Sequence, residues 1–123
     1  YWSNVWNKKP FCASYWSGRP TEDWMFSSAY TADNEWNETA WRTTESATRF
    51  NEVVVEARAE LDQDKRRVLY EEAQVLVNDD GGALIPMFAN HIMAVSKGVA
   101  HSEDVAANWE LDGAKAPERW WKA

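Results

Sequence analysis

The chain has 123 residues, which gives room for one domain with one hydrophobic core. Its 45% hydrophobic and 27% charged residues argue against a disordered chain, and its net charge of -7 argues against nucleic acid or an anionic membrane as partner. No apolar run approaches the roughly 20 residues of a membrane-spanning helix, so we expect no membrane span.

The first part of the chain predicts a strand, a corner and a helix. An apolar run with β character covers residues 11–16 and stops at a Gly- and Pro-containing corner, residues 17–20. A helix is predicted over residues 21–30. Thr21 is a suitable N-cap for it, and two acidic residues follow in the first turn, where they suit the helix dipole.

A polar segment rich in Asn, Thr and Glu, residues 31–46, is predicted as a long loop. Trp36 and Trp41 lie in this loop, outside any apolar strand or helix pattern. Long loops in compact domains are often functional, so packing and ligand contact are equally open for both tryptophans.

Two helices joined by a tight turn are predicted next, over residues 50–61 and 63–78. Each carries an apolar row along one face, as expected for helices that pack on a core. The first helix begins at Thr48 or Asn51, and Asp62 can cap the second. The two helices should form an αα-hairpin.

Two buried strands are predicted over residues 83–89 and 92–96, because both segments are apolar and rich in β-forming residues. Pro86 places the first of them at a sheet edge or a bulge. Together with residues 11–16, the two strands should form one small mixed sheet on which the three helices pack. The expected fold class is therefore α/β, of the mixed α+β kind.

The sequence carries no pattern of a catalytic centre. Nucleophilic catalysis needs a base beside the nucleophile, and the chain has two histidines and no nucleophile elbow. Paired carboxylates such as Glu35 and Glu38 are common in acidic loops and do not indicate a glycosidase. Cys12, His91 and His101 lack the short ligand spacing of a zinc site. We expect neither an enzyme nor a metal or cofactor site.

Aromatic residues flank the corner that ends the first predicted strand. A strand that feeds a helix N-terminus at such a corner is a common place to hold a small molecule. Tyr15 and Trp16 precede the corner, and Arg19 within it supplies one fixed cation. The alternative is that these aromatics belong to the core and the corner is only a turn.

The stretch ASYWSGRPTEDWMFSSAYT, with WNETAW after it, resembles the C-terminal lobe of family-5 extracellular solute-binding proteins. These proteins are the dipeptide-, oligopeptide- and opine-binding components of ABC importers. The likeness continues through RFNEVVVEARAELDQDKRRVLYEEAQVLVNDDGGALIPMFAN, which in the family is a helix, an Asp-rich turn, a second helix and a strand with an internal proline. It covers residues 1–99 and fades after His101.

The resemblance implies a fold, a function and a location. Residues 1–100 would be part of the C-terminal lobe of a periplasmic binding protein of type II. Residues 101–123 would be an extension that can cross to the other lobe. The chain would be a fragment of a periplasmic or membrane-associated extracellular receptor, whose lobes close on a solute and then dock on the permease of the importer. Surface left uncovered in such a fragment makes self-association an expectation.

The resemblance also implies a set of ligand-binding residues. The matching positions are Tyr15, Trp16, Ser17, Gly18 and Arg19, with Trp36 and Asn37 as weaker candidates. Peptide-binding members carry an aspartate in this corner that pairs with the peptide's α-ammonium group, and the corner here has no acid. We therefore expect ordinary peptides with a free amino terminus to be poor ligands. A solute with a carboxylate or many hydroxyls, such as an opine or a sugar-acid conjugate, should be preferred, because Arg19 can bind a carboxylate through two hydrogen bonds. A single lobe should bind no more tightly than roughly millimolar.

Nine tryptophans would by themselves also permit a second class of function. An aromatic-faced carbohydrate-binding module, or a fragment of a carbohydrate-active enzyme, exposes tryptophans to sugar rings. Carbohydrate-binding modules are typically all-β, so the predicted helical hairpin distinguishes between the two hypotheses.

Overall fold

Three helices form most of the regular structure in the computed structural model of the chain, which describes every residue from Tyr1 to Ala123. They are α1 (Glu22–Ala29), α2 (Glu45–Ala59) and α3 (Gln63–Asp80). The remaining elements are β1 (Val99–Ala100), α4 (Glu110–Ala114), α5 (Ala116–Arg119) and β2 (Trp121–Lys122). None of the helices is both long enough and apolar enough to cross a lipid bilayer.

The chain divides into two compact units, each of which is described by itself. The first unit comprises Tyr1–Trp16 and Thr21–Ile85, and the second unit comprises Ser17–Pro20 and Pro86–Ala123. The first unit therefore contains the three long helices. The second contains the short C-terminal elements and the corner that precedes α1.

Helix α1 forms where the sequence predicts it, with Thr21 and Tyr30 as its two caps. Thr21 has an extended backbone, and its hydroxyl accepts a hydrogen bond from the N–H of Trp24 at 3.3 Å. Two acidic residues occupy the first turn, where the free N–H groups favour negative charge. Tyr30 closes the helix by donating its N–H to the carbonyl of Phe26 at 2.9 Å. The helix predicted over residues 21–30 is confirmed.

Helix α2 begins earlier than predicted. The sequence places its start at Thr48 or Asn51, but the helix begins at Glu45. The reason is the hydroxyl of Thr44, which accepts a hydrogen bond from the N–H of Ala47 at 3.1 Å and so satisfies one of the first free donors of the helix.

Helix α3 and its packing on α2 confirm the predicted αα-hairpin. Asp62 caps α3, because its carboxylate accepts hydrogen bonds from the N–H groups of Asp64 at 3.0 Å and Lys65 at 3.1 Å. Arg49 of α2 then reaches across the hairpin to Glu72 of α3 through two parallel contacts of 2.6 and 2.9 Å. These contacts raise the pKa of Arg49 and lower that of Glu72, so both groups stay charged over the neutral range.

The core of the first unit is centred on Phe50 of α2, which is fully buried. Its ring meets Phe26 edge-on at 5.5 Å and lies 5.2 Å from the ring of Trp41. Burying a phenylalanine contributes about 1.5–3 kcal/mol, so this position is a major source of stability. The buried hydrophobic residues are Phe26, Ala29, Tyr30, Trp41, Ala47, Phe50, Val53, Val54, Ala57, Tyr70, Ala73 and Val77.

The prediction of one small sheet with three strands is wrong. Residues 11–16, 83–89 and 92–96 form no strand. The sheet has only two strands, β1 and β2, which pair antiparallel with Val99 opposite Lys122 and Ala100 opposite Trp121. A β-forming segment becomes a strand only where another backbone is available to pair with it, and no part of this chain pairs with the three predicted segments. The chain is thus mostly helical with a small two-stranded sheet, an architecture compatible with a mixed α/β class.

The second unit is organised around one buried carboxylate, Asp112, which accepts hydrogen bonds from the N–H of Ala106 at 2.6 Å and the indole N–H of Trp120 at 3.1 Å. Its third partner is the guanidinium of Arg119 at 2.7 Å. These partners, the Ala106 N–H foremost, hold the pKa of Asp112 below its ordinary value. Asp112 itself lies in a left-handed turn with a φ of 61°, a conformation that costs a non-glycine residue about 1–2 kcal/mol. The hydrogen bonds offset that cost.

Candidate functional site

The loop between α1 and α2 is built around the side chain of Asn37. The amide group donates hydrogen bonds to the carbonyls of Tyr30 at 3.1 Å and Trp41 at 3.0 Å, and the amide oxygen accepts one from the hydroxyl of Thr39 at 3.0 Å. Asn37 is only 2% exposed. The structure therefore gives Asn37 a role in folding the loop, in place of the ligand contact expected from the sequence, because its polar groups are already used.

Of the two loop tryptophans, Trp41 belongs to the core. It is 5% exposed, and its ring packs on Phe50. Its indole N–H donates to the carboxylate of Asp80 at 3.0 Å, which ties the loop to the end of α3. The hydroxyl of Ser46 and the Trp41 indole together lower the pKa of Asp80, so the carboxylate is charged at neutral pH.

Trp36, in contrast, faces solvent. It is 53% exposed, and its indole N–H makes no hydrogen bond within the chain. The ring of Trp16 lies beside it, with a centroid distance of 6.2 Å and an angle of 55° between the planes. Two of the predicted site residues from different parts of the sequence thus form one aromatic pair in the first unit.

Glu38 fixes the position of Trp16 in this pair. One carboxylate oxygen accepts a hydrogen bond from the indole N–H of Trp16 at 3.0 Å. The other accepts hydrogen bonds from the indole N–H of Trp6 and from the hydroxyl of Ser14, the latter at 3.1 Å. Sequence reasoning missed this role, because Glu38 looks like any other acid of a polar loop and its partners lie 22 to 32 residues away.

An open groove with a volume of about 710 Å³ lies next to Trp36, between the end of α1, the loop and one side of α2. Val54 and Val55 of α2 supply apolar surface, and Asn34 and Arg58 supply polar groups. A few polar groups on a mainly apolar wall are typical of small-molecule sites, and the volume lies within the range of about 300–1,000 Å³ found for such sites.

The charged groups at the groove differ in their contacts and exposure. Arg58 pairs with Asp23 at 2.8 Å and also donates to the hydroxyl of Ser27, so its charge is already balanced. Asp33 and Glu35 line the groove as well, and both are exposed. The groove therefore offers an aromatic face, hydrogen-bonding groups and two carboxylates. No sequence pattern identifies Arg58 as part of this surface, because the residue comes from the helix opposite the loop.

The predicted corner is divided between the two units. Tyr15 and Trp16 belong to the first unit, whereas Ser17, Gly18 and Arg19 belong to the second. Tyr15 is 78% exposed. The guanidinium of Arg19 donates to the carbonyls of Ser17 at 2.9 Å and Gly18 at 3.2 Å, so one of its nitrogens stabilises the corner itself.

The titratable residues do not form a metal-binding cluster. No group of three or more His, Cys, Asp or Glu side chains is arranged to hold a metal ion. His101 lies against the ring of Trp120 at 5.3 Å, and His91 is exposed. Cys12 is a free, half-buried thiol near the hydroxyl of Tyr1.

Comparisons with family models, with curated proteins and with solved structures find no match to this chain.

Proposed function

We propose that this chain is part of the ligand-binding lobe of an extracellular solute-binding protein of the family-5 type, which captures a small solute and delivers it to the permease of an ABC importer. The observation that carries this proposal is the groove of about 710 Å³ beside the exposed Trp36. The order of α1, the acidic turn at Asp62 and the helical hairpin agrees with the motif order of the resemblance. The absence of a strand over residues 83–89 departs from it.

The mechanism that we propose is capture without chemistry. Trp36 and Val55 supply apolar area to the solute, and the indole N–H of Trp36 supplies a hydrogen bond that fixes its orientation. A second lobe closes over the groove and excludes water, which strengthens this hydrogen bond. The location that follows from this role is the periplasm or the outer face of the membrane.

The proposal is tested by thermal-shift screening of the receptor that contains this chain. The solutes are an opine, a sugar-acid conjugate, several di- and tripeptides and neutral oligosaccharides. We expect stabilisation by the opine or the sugar acid and its loss in Trp36→Ala. Trp24→Ala is the matched control, because Trp24 is 52% exposed and lies in α1, outside the groove. Stabilisation that is equal in both variants would contradict the proposed site.

The proposed ligand class has a separate test. The preference for a carboxylate comes from the sequence of the corner and not from the groove, and Arg19→Ala should weaken stabilisation by the opine. Stabilisation by several unrelated di- or tripeptides, undiminished in Arg19→Ala, would overturn the ligand class and leave the receptor role standing. Calorimetry on the 123-residue chain alone should find no binding tighter than roughly millimolar.

The alternative function is a carbohydrate-active one, and the exposed Trp36 ring is the observation that favours it. Stabilisation by neutral oligosaccharides alone, lost in Trp36→Ala, would support it over the receptor role. The helical hairpin disfavours an all-β carbohydrate-binding module, so this alternative is the enzyme fragment in particular.

A further inference from the structure

The segment from Pro86 to Val95 in the second unit is apolar, exposed and without turns. Phe88 is 89% exposed, Ile92 is 94% exposed and Met87 is 75% exposed. Side chains of this kind in a contiguous exposed run mark an interaction surface, because water contact with so much apolar area is unfavourable.

The backbone of the same segment is unpaired. No N–H or C=O group of residues 86–95 makes a hydrogen bond within the chain, and the single hydrogen bond of the segment runs from the N–H of Leu111 to the sulfur of Met93 at 3.2 Å. A row of free backbone donors and acceptors is the template on which another extended strand pairs. The binding partner that fits this segment is therefore an extended polypeptide.

The charge pattern and the residue order point to a second copy of this chain as that polypeptide. Residues 81–96 contain no Asp, Glu, Lys or Arg, although the chain as a whole carries a net charge of -7. Two copies can thus approach here without the repulsion that the rest of the surface imposes. The segment is also nearly symmetric in hydropathy about Asn90. Phe88 and Ile92 lie at equal distances from Asn90 along the chain, and so do Met87 and Met93.

We infer that two copies of the chain dimerise by antiparallel strand pairing of residues 86–95, with Asn90 at the two-fold axis. In this register Phe88 of one copy lies opposite Ile92 of the other, and the two methionines form the neighbouring pair on the other face of the strand. The interface is isologous, since both copies use the same residues. This inference does not depend on the proposed transport function.

The first experiment measures the mass of the 123-residue chain by sedimentation equilibrium over a range of concentrations. We expect a monomer–dimer equilibrium that Phe88→Lys weakens by more than about tenfold, because the variant loses a buried aromatic contact at two symmetric places. Leu61→Lys is the matched control. Leu61 is also 89% exposed but lies in the first unit, so the Leu61→Lys variant should dimerise as tightly as the unchanged chain.

The second experiment tests the backbone pairing and its register. Amide hydrogen exchange over residues 87–95 should slow as the concentration rises, whereas exchange over residues 101–107 should not. In a Cys12→Ser background, Asn90→Cys should form a disulfide-linked dimer on mild oxidation, because residues at the axis face each other. Residue 94 lies opposite Pro86 of the other copy in this register, so Ala94→Cys should form the disulfide-linked dimer much more slowly.

A chain that stays monomeric at all concentrations would overturn the inference, as would a dimer that Phe88→Lys leaves unchanged. Assemblies larger than a dimer would also contradict it, because the two-fold axis closes an isologous pair. Far-UV circular dichroism of each variant checks that the helices are retained.

Discussion

The first unit buries twelve hydrophobic residues in one cluster around Phe50, whereas the second unit buries a single residue, the carboxylate of Asp112. The helices of the first unit are long enough to present a continuous apolar face, and α2 and α3 do so towards each other. The second unit has helical segments of only four and five residues. Its order depends on hydrogen bonds to one acid in place of hydrophobic packing.

This difference predicts different responses to mutation and to pH. Hydrophobic burial does not depend on protonation and scales with the area removed from water, so the first unit should be sensitive to cavities. A buried carboxylate stabilises its surroundings only while it is charged and fully hydrogen-bonded, so the second unit should be sensitive to acid. Each of the following predictions tests one side of this comparison.

The largest expected effect is that of Phe50→Ala in the first unit. Removing a fully buried aromatic ring leaves a cavity between Phe26 and Trp41 and should lower the free energy of unfolding by about 3–5 kcal/mol. Urea unfolding followed by helical circular dichroism measures the loss. Val55→Ala is the control, because Val55 lies in the same helix at 63% exposure and its truncation should cost less than about 0.5 kcal/mol.

In the second unit, Asp112→Asn should have the largest effect. The variant keeps the shape of the side chain but leaves Arg119 without its carboxylate and Ala106 with a weaker acceptor. Amide exchange at Ala106 should become faster, while the helices of the first unit keep their protection. Glu110→Gln removes an exposed acid two residues away and serves as the control. Equal effects of both variants would mean that the buried hydrogen bonds do not organise this unit.

The pH dependence of the second unit follows from the lowered pKa of Asp112. A carboxyl whose pKa is lowered by folding gives its full stabilisation above the unfolded pKa of about 3.9, and this stabilisation is lost as the pH falls through the folded pKa. The Ala106 amide should therefore stay protected from pH 7 to 5 and lose protection below about pH 4. Arg119 and His101 also contribute to the lowered pKa of this carboxyl.

A smaller effect is expected at the N-cap of α3. Asp62→Ala removes the acceptor for the N–H groups of Asp64 and Lys65 and should cost about 1 kcal/mol of stability in the first unit. Asp64→Ala removes an acid from the same turn without removing the cap, so its cost should be clearly smaller. Thermal unfolding of the two variants side by side measures the difference, and equal midpoints would argue against the cap.

The smallest effect is spectroscopic and belongs to the first unit, which contains all four tyrosines. Burial, with a further contribution from Asp23, raises the pKa of Tyr70 to about 12. Stability from the neutral phenol is therefore complete below about pH 10 and is lost as the pH rises towards 12. Ultraviolet absorbance should show a late component of tyrosine ionisation that is reduced in Tyr70→Phe. Burial also raises the pKa of Tyr30, so some late ionisation should persist in the variant.

The helices were predictable because their signals are local. The hydroxyl of Thr21 and the carboxylate of Asp62 each cap a helix whose hydrogen bonds lie entirely within its own segment. The start of α2 was missed for the opposite reason. Both Thr44 and Thr48 can cap a helix, and the hydroxyl of Thr44 also bonds to Asp80, a residue 36 positions away that no local pattern connects to it.

The candidate site was predictable only in part. The strand-to-helix corner drew attention to Trp16 and the polar loop to Trp36, and the structure places their rings side by side. The sequence could not assign Asn37 to the interior of the loop, nor connect Glu38 to Trp16. These roles depend on which backbone and side-chain groups meet after folding.

By itself, the sequence determined the three helices and their hairpin. Only the tertiary structure decided which β-forming segments pair. Residues 83–89 and 92–96 have strand composition but no partner, while Val99–Ala100 and Trp121–Lys122 pair without any strong pattern. The physical reason is that a helix satisfies its hydrogen bonds four residues away, whereas a strand must find its hydrogen bonds on a distant backbone.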